Sequence, residues 1–268
     1  MTSGTASLLE LRDVHVRFPV HSGVLQRTVG HVHAVDGVNL AVRRGETMGL
    51  VGESGCGKST LSRVVVMLTR PDAGEVLFEG RNILAFDRNA RKLARRDIQI
   101  IFQDSLGALN PRLCVQDLIL EGRRIQGLSD AATDRNLVED ILGKVGLSRE
   151  LATRYPHELS GGQRQRVGIA RVLVLGARLI VADEPVSALD VSIQAGIINL
   201  LLDLQLQFGL SYLFVSHDLS VVRHLAHTVA VMYKGAVVEH GDAAKVFADP
   251  QNEYTRRLLA AVPGRGRS

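Results

Sequence analysis

Thr47-Met48-Gly49-Leu50-Val51 runs directly into Gly52-Glu53-Ser54-Gly55-Cys56-Gly57-Lys58-Ser59-Thr60. The first five residues read as a strand, and Leu61, Val64, Val65 and Leu68 then recur at helical spacing. Pro71 is expected to bar that helix from continuing. The order is strand, glycine loop, helix. Glycines at 52, 55 and 57 let the backbone turn successive N–H groups inward, and the helix that follows offers its positive N-terminus. Such a loop neutralises closely spaced phosphates. Lys58 supplies a point charge to the β- and γ-phosphates, Ser59 a hydroxyl ligand for Mg²⁺, and Ser54 and Thr60 complete the loop. Cys56 reads as a small filler, because no base is evident beside it.

A second glycine turn, Leu159-Ser160-Gly161-Gly162-Gln163, lies well downstream. Ser160 and Gln163 have the spacing of a capping box that opens a helix. A helix start freed of side-chain bulk by Gly161 and Gly162 can offer N–H groups to a phosphate. Between the turns, Ile98 to Phe102 reads as a strand followed by Gln103. After them, the wholly apolar Leu179 to Ala182 ends in Asp183-Glu184, and Tyr212 to Val215 precedes His217. Each polar group thus follows an apolar strand, where α/β sheets bind ligands. Asp183 is placed to hold Mg²⁺ and Glu184 to orient or deprotonate an attacking water. His217 could contact a γ-phosphate, and Gln103 could reach the metal or the water.

The remaining pattern fills in an α/β chain. Val14, Val16 and Phe18 alternate with polar residues, as do Val38, Leu40 and Val42, predicting two strands. His21 to His33 between them is expected to be an exposed loop. From Asp104 to about Glu158 the pattern turns helical, with Leu137, Val138, Ile141, Leu142 and Val145 on one face and Gly146 as a stop. A helix on Ile193, Ile197, Leu200 and Leu204 and a hairpin at Lys234-Gly235 follow. The expected organisation is one domain, 1–268. Its catalytic core is 1–103 and 164–240, with an inserted helical subdomain at 104–163 and a short helical extension at 241–268.

The 268 residues are 46% hydrophobic with a net charge of +4 and a pI near 9.3. This composition favours a packed core over disorder, and its mild basicity suits ATP, an anionic membrane surface or nucleic acid alike. Cys56 and Cys114 make no disulfide framework. No basic start and apolar run marks a signal peptide at Met1 to Glu10. No run of about 18 apolar residues stands out, the best candidate, Val172 to Ala182, being broken by Arg178. His15, His21, His31 and His33 lack the carboxylate or cysteine set that would complete a metal site. Arg88, Arg91, Lys92, Arg95 and Arg96 have no interleaved aromatics and read as a solvated helix face rather than a nucleic-acid contact.

Taken in order, Gly52–Thr60, Gln103, Leu159–Gln163, Asp183–Glu184, Ser187-Ala188-Leu189-Asp190 and His217 resemble the ATP-binding subunit of an ABC (ATP-binding cassette) transporter over nearly the whole chain. The resemblance implies a P-loop NTPase fold with an N-terminal antiparallel β region and an inserted helical subdomain. It implies ATP and Mg²⁺, and a head-to-tail dimer. In that dimer Ser160, Gly161, Gly162 and Gln163 of one subunit close on ATP held by Lys58 of the other, with Asp190 at the seam. Phe18 is the candidate for stacking on adenine. Arg95–Gln99, Phe102-Gln103-Asp104-Ser105, Asn110-Pro111-Arg112, Asn252–Arg256 and Ala261-Val262-Pro263 look like the dipeptide, oligopeptide and nickel importers. That subfamily implies a second, different ATPase subunit, two transmembrane permeases and an extracytoplasmic solute-binding protein, with no nucleic acid. It places the chain peripherally on the cytoplasmic face of the inner membrane. The cysteine-rich iron–sulfur tail of many relatives is not expected. Soluble ABC proteins of translation and repair carry two cassettes or a long coiled coil, neither of which is seen here. An export-type cassette fits the C-terminal stretch less well.

Overall fold

Buried alternate residues define the first two strands. Leu9, Leu11, Val14 and Val16 of β1 (Ser7–Ser22) and Val35, Val38, Leu40 and Val42 of β2 (Arg27–Arg43) are inside. The two strands pair antiparallel. These features come from a computed structural model that describes residues 7–22, 27–103 and 107–261, with backbone alone at 20–22 and 27–29. Chain contacts divide into two units, Met1–Asp87 with Ser211–Ser268, and Arg88–Leu210. Asp104, Ser105, Val262, Pro263 and the side chain of His21 lie outside the described residues.

The loop expected at His21 to His33 is largely absent. β1 runs through Ser22 and β2 begins at Arg27, with Pro19 opposite His31 and Ser22 opposite Arg27. A stretch exposed on both faces carries no apolar period: His31, Val32 and His33 all face solvent. β3 (Thr47–Val51) is buried throughout. It enters the glycine loop and α1 (Lys58–Val65), whose Leu61, Val64 and Val65 face inward. Leu68, assigned to that face by its spacing, is 59% exposed. The helix stops before Pro71 can act. Met67 takes a left-handed backbone (φ 60°), its N–H donates to the Val64 carbonyl, and the Leu68 N–H donates to the Arg63 carbonyl. These two bonds form a Schellman ending with methionine in the position usually held by glycine. β4 (Ala73–Phe78) pairs antiparallel with β1 and carries the short β5 (Arg81–Asn82).

The second unit opens with α2 (Arg88–Asp97) and β6 (Ile98–Ile101). The expected helical stretch begins only at α3 (Val115–Gln126), followed by α4 (Ala131–Lys144). Asn110 accepts the Arg112 N–H in a turn before Cys114 caps α3, so the Asn110–Arg112 stretch is not helical. In α4 Val138, Ile141 and Leu142 are buried and Leu137 is half-buried, with Gly146 left-handed just beyond the end. α5 (Gly161–Leu173) packs on α3 and α4. β7 (Leu179–Asp183) runs parallel to β6, Ile98 opposite Leu179 and Ile101 opposite Ala182.

The next element is α6 (Val191–Phe208). Over its 18 residues, at a hydropathy of 1.3, it is long and apolar enough to cross a membrane. Asn199, Asp203 and Gln205 interrupt its apolar residues, so they form no continuous apolar run; Ile197, Leu200, Leu201 and Leu204 are buried, whereas Val191 and Leu206 are exposed.

The chain then returns to the first unit. β8 (Ser211–Ser216) lies parallel to β3, Val51 opposite Ser216. After α7 (Leu219–Leu225), β9 (Thr228–Tyr233) flanks β3 on its other side. β9 turns at Lys234-Gly235 into the antiparallel β10 (Ala236–Asp242). Positive φ at both turn residues, 46° and 89°, matches the twist of a two-residue hairpin. α8 (Ala243–Ala248) and α9 (Glu253–Ala260) complete the described chain.

Candidate functional site

The glycine loop leaves the carboxyl end of β3 and wraps into α1 with Gly57 as the residue before the helix. Gly57 has φ 110°, and a Cβ there would lie 2.0 Å from the Ala34 carbonyl oxygen of β2. Gly57 offers no side-chain cap to α1, and a helix start of this kind is where a bound anion meets backbone N–H groups. Lys58 is 4% exposed, with Nζ donating to the carbonyls of Gly52 (2.7 Å) and Glu53 (2.8 Å). A cation folded onto its own loop, beside a helix start and a space only glycine permits, has the chemistry of a phosphate cradle. Ser54, Gly55 and Ser59 are exposed and Thr60 is half-buried. Cys56 is buried, which pushes its thiol up against the opposing pull of Lys58, so it is not primed as a nucleophile.

Sequence reasoning missed one neighbour of this loop. The Glu53 N–H donates to the hydroxyl of Tyr254 in α9, 3.1 Å away. Tyr254 is buried, which raises its phenol pKa despite that hydrogen bond, and its ring lies 4.2 Å from that of Tyr233. Only the Asn252–Arg256 stretch, noted for its family likeness, could have pointed there.

Register places His217 one residue beyond Ser216, which stands opposite Val51, so it ends its strand beside the start of the glycine loop. His217 is exposed. Phe18, 45% exposed, sits on the β1–β2 arm opposite Val32. His15 stands between carboxylates, Nδ1 3.0 Å from Asp36 Oδ1 and Nε2 3.0 Å from Asp13 Oδ1. Among the described residues no group of three or more His, Cys, Asp or Glu is placed to hold a metal.

In the second unit the parallel register of β6 and β7 brings Gln103 level with Glu184 past the strand ends. Gln103 Nε2 donates to Glu184 Oε2 at 3.0 Å. Asp183 is the last, half-buried residue of β7. Glu184 adopts a left-handed backbone, φ 49°, held by the Ser187 N–H and hydroxyl donating to its carbonyl at 3.3 and 3.1 Å. A glutamate in that region marks strain of the kind that collects at working sites.

The capping box forms. The Gln163 N–H donates to Ser160 Oγ at 3.3 Å, and the Ser160 N–H donates to Gln163 Oε1 at 2.9 Å. Gly162 is buried, and a Cβ there would meet Ile193 Cγ2 of α6 at 2.7 Å. A Cβ on Gly161 would meet Leu189 at 3.4 Å. The second glycine turn thus packs against the Ser187–Asp190 segment, where exposed Asp190 caps α6 without a side-chain bond.

The family model described as "ABC transporter" matches residues 35–187. The chain belongs to the ABC transporter family. It is an ATP-binding, ATP-hydrolysing cassette of that family, with the fold that this assignment requires. The cassette is 50% identical over 258 residues to the oligopeptide transport ATP-binding protein AppF of Bacillus subtilis, covering 96% of this chain and 78% of that one. It is 56% identical over 240 residues to the oligopeptide transport ATP-binding protein OppD of Mycobacterium tuberculosis, covering 90% of this chain and 39% of that one. The cassette thus spans less than half of the second relative. Among solved structures it resembles a dimeric ATP-binding cassette in a post-hydrolysis state bound to ADP and Pi. That match has a TM-score of 0.77 and 28% identity, covering 88% of this chain and 98% of that one.

Proposed function

We propose that this cassette energises a bacterial importer of dipeptides or oligopeptides. The observation that carries the reading is 50% identity to an oligopeptide transport ATP-binding protein over 96% of the chain. The chain would sit peripherally on the cytoplasmic face of the membrane. Its partners would be two permease subunits, a second ATPase of different sequence and an extracytoplasmic solute-binding protein. Residues 104–163 would form the helical subdomain that carries motion to the permeases.

Lys58 and the N–H groups of Gly52–Thr60 would hold the ATP phosphates, with Phe18 stacked on adenine. Ser59, Asp183 and Gln103 each carry a hard oxygen of the kind Mg²⁺ prefers and would hold it. The metal would neutralise charge on the phosphates. Glu184 takes the proton of the attacking water as its oxygen bonds to the γ-phosphorus. The bond from that phosphorus to the bridging oxygen breaks, and ADP leaves. Gln103, already hydrogen-bonded to Glu184, orients the carboxylate and the water. His217 contacts the γ-phosphate. Ser160, Gly161, Gly162 and Gln163, with Asp190 at the seam, close on the nucleotide of the other subunit, so the isolated chain binds ATP but turns it over poorly.

The test is Glu184→Gln in the assembled transporter. It should retain ATP while losing turnover by about a hundredfold or more, the scale of a missing general base. Substantial hydrolysis in that variant removes Glu184 as base. Uptake by a deletion strain, offered labelled peptides and Ni²⁺ side by side, decides the solute, and uptake of Ni²⁺ alone would refute the peptide reading.

A further inference from the structure

One planar peptide unit of the phosphate loop is held from both of its polar ends. The carbonyl of Gly52 and the N–H of Glu53 belong to the same rigid trans plane and point in opposite directions. Lys58 Nζ donates to that carbonyl at 2.7 Å, and the N–H donates to the Tyr254 hydroxyl at 3.1 Å. Turning the plane to free one bond breaks the other.

Tyr254 is itself fixed to the fold from several sides. Glu239 of β10 accepts the Gln251 N–H at 2.7 Å and the Asn252 N–H at 3.1 Å through its two oxygens. The Asn252 side chain donates to the Val238 carbonyl at 3.3 Å and accepts the Tyr254 N–H at 2.8 Å, capping α9. Tyr233 of β9 lies against the phenol ring. The start of α9 is thereby clamped to the β9–β10 hairpin, and the hydroxyl is delivered to the loop at a set position.

We infer that Tyr254 is a positioning residue for the phosphate loop: its hydroxyl holds the Gly52–Glu53 peptide in place when Lys58 leaves the loop carbonyls for the phosphates. This rests on the reading of the loop as the ATP site. With the hydroxyl gone, the peptide loses its remaining anchor at the moment nucleotide enters, and the loop must be ordered at the expense of binding. The effect falls on affinity rather than on the chemical step, because Tyr254 touches neither nucleotide nor water in this scheme.

The test uses the full chain with its transporter partners and Mg²⁺-ATP. Tyr254→Phe keeps the ring against Tyr233 and removes the hydroxyl alone. It should weaken ATP binding and raise KM by about three- to tenfold, the worth of one hydrogen bond, with kcat at saturating ATP within about twofold of wild type. Glu239→Gln loosens the clamp without touching Tyr254 and should shift KM in the same direction by less. The double variant should be no worse than Tyr254→Phe, because both act through one contact. Unchanged ATP affinity in Tyr254→Phe, a fall in kcat at constant KM, or fully additive effects would each overturn the proposal. Absence of ATP binding by the wild type would overturn the site assignment along with it.

Discussion

Gly57→Ala should cripple the phosphate loop, and the coordinates set the size of the effect. Two costs add. The first is backbone strain: an L-residue at φ 110° leaves its allowed regions, which costs about 1–2 kcal/mol. The second is steric. A Cβ 2.0 Å from the Ala34 carbonyl oxygen overlaps it by more than an ångström, and the obstacle is strand backbone that cannot rotate away. Displacing packed structure costs about 1–3 kcal/mol, so the sum is roughly 2–5 kcal/mol against a typical total of about 5–15. Gly55 provides the internal control. It too is left-handed, at φ 80°, but a Cβ there meets nothing within 4 Å. Gly55→Ala should therefore show the strain alone, and the difference between the two variants isolates the clash. The chain has no tryptophan, so urea unfolding followed by far-ultraviolet circular dichroism is the suitable probe. The midpoint should fall markedly for Gly57→Ala and slightly for Gly55→Ala, with little change in slope. Equal midpoints for the two variants would refute the contact with Ala34 as the reason for glycine at this position.

Two further outcomes follow from local geometry. Ser160→Ala removes the acceptor of the Gln163 N–H and should cost about 1 kcal/mol of stability at α5, read as faster amide exchange in its first turn. Asp117 should make stability fall with acid. The Cys114 thiol at 3.0 Å and Arg124 at 2.7 Å hold its carboxyl below the usual 3.8. That contribution is therefore present above the ordinary carboxylate pKa and is lost as pH drops through the lowered one. The stability gap between wild type and Asp117→Asn should narrow as the solution is taken below about pH 4, and a gap constant with pH would contradict the pairing.

What the sequence made legible was local chemistry. Gly52–Lys58 needed only its strand, its glycines and its lysine to be read. Ser160 and Gln163 formed the capping box that their spacing required, since both partners lie within one turn. Leu179–Ala182 was recognisable as a buried parallel strand from four apolar residues. What escaped depended on distant partners or on surfaces without a period. On the β1–β2 arm, Pro19 and the stretch from Gly30 to His33 all face solvent and generate no alternation. The end of α1 rests on a left-handed methionine, which no composition rule anticipates. Gln103 meets Glu184 across 81 residues only because β6 and β7 share a register, and Glu53 meets Tyr254 across 201.

The left-handed backbone at Glu184 sets durability against work. Asparagine or glycine would sit in that conformation more comfortably, by about 1 kcal/mol, while removing the long carboxylate reach. Selection for thermal robustness alone would therefore drift toward a sturdier, idle cassette. The strained glutamate is a place where a stabilised variant should be checked for turnover before it is trusted.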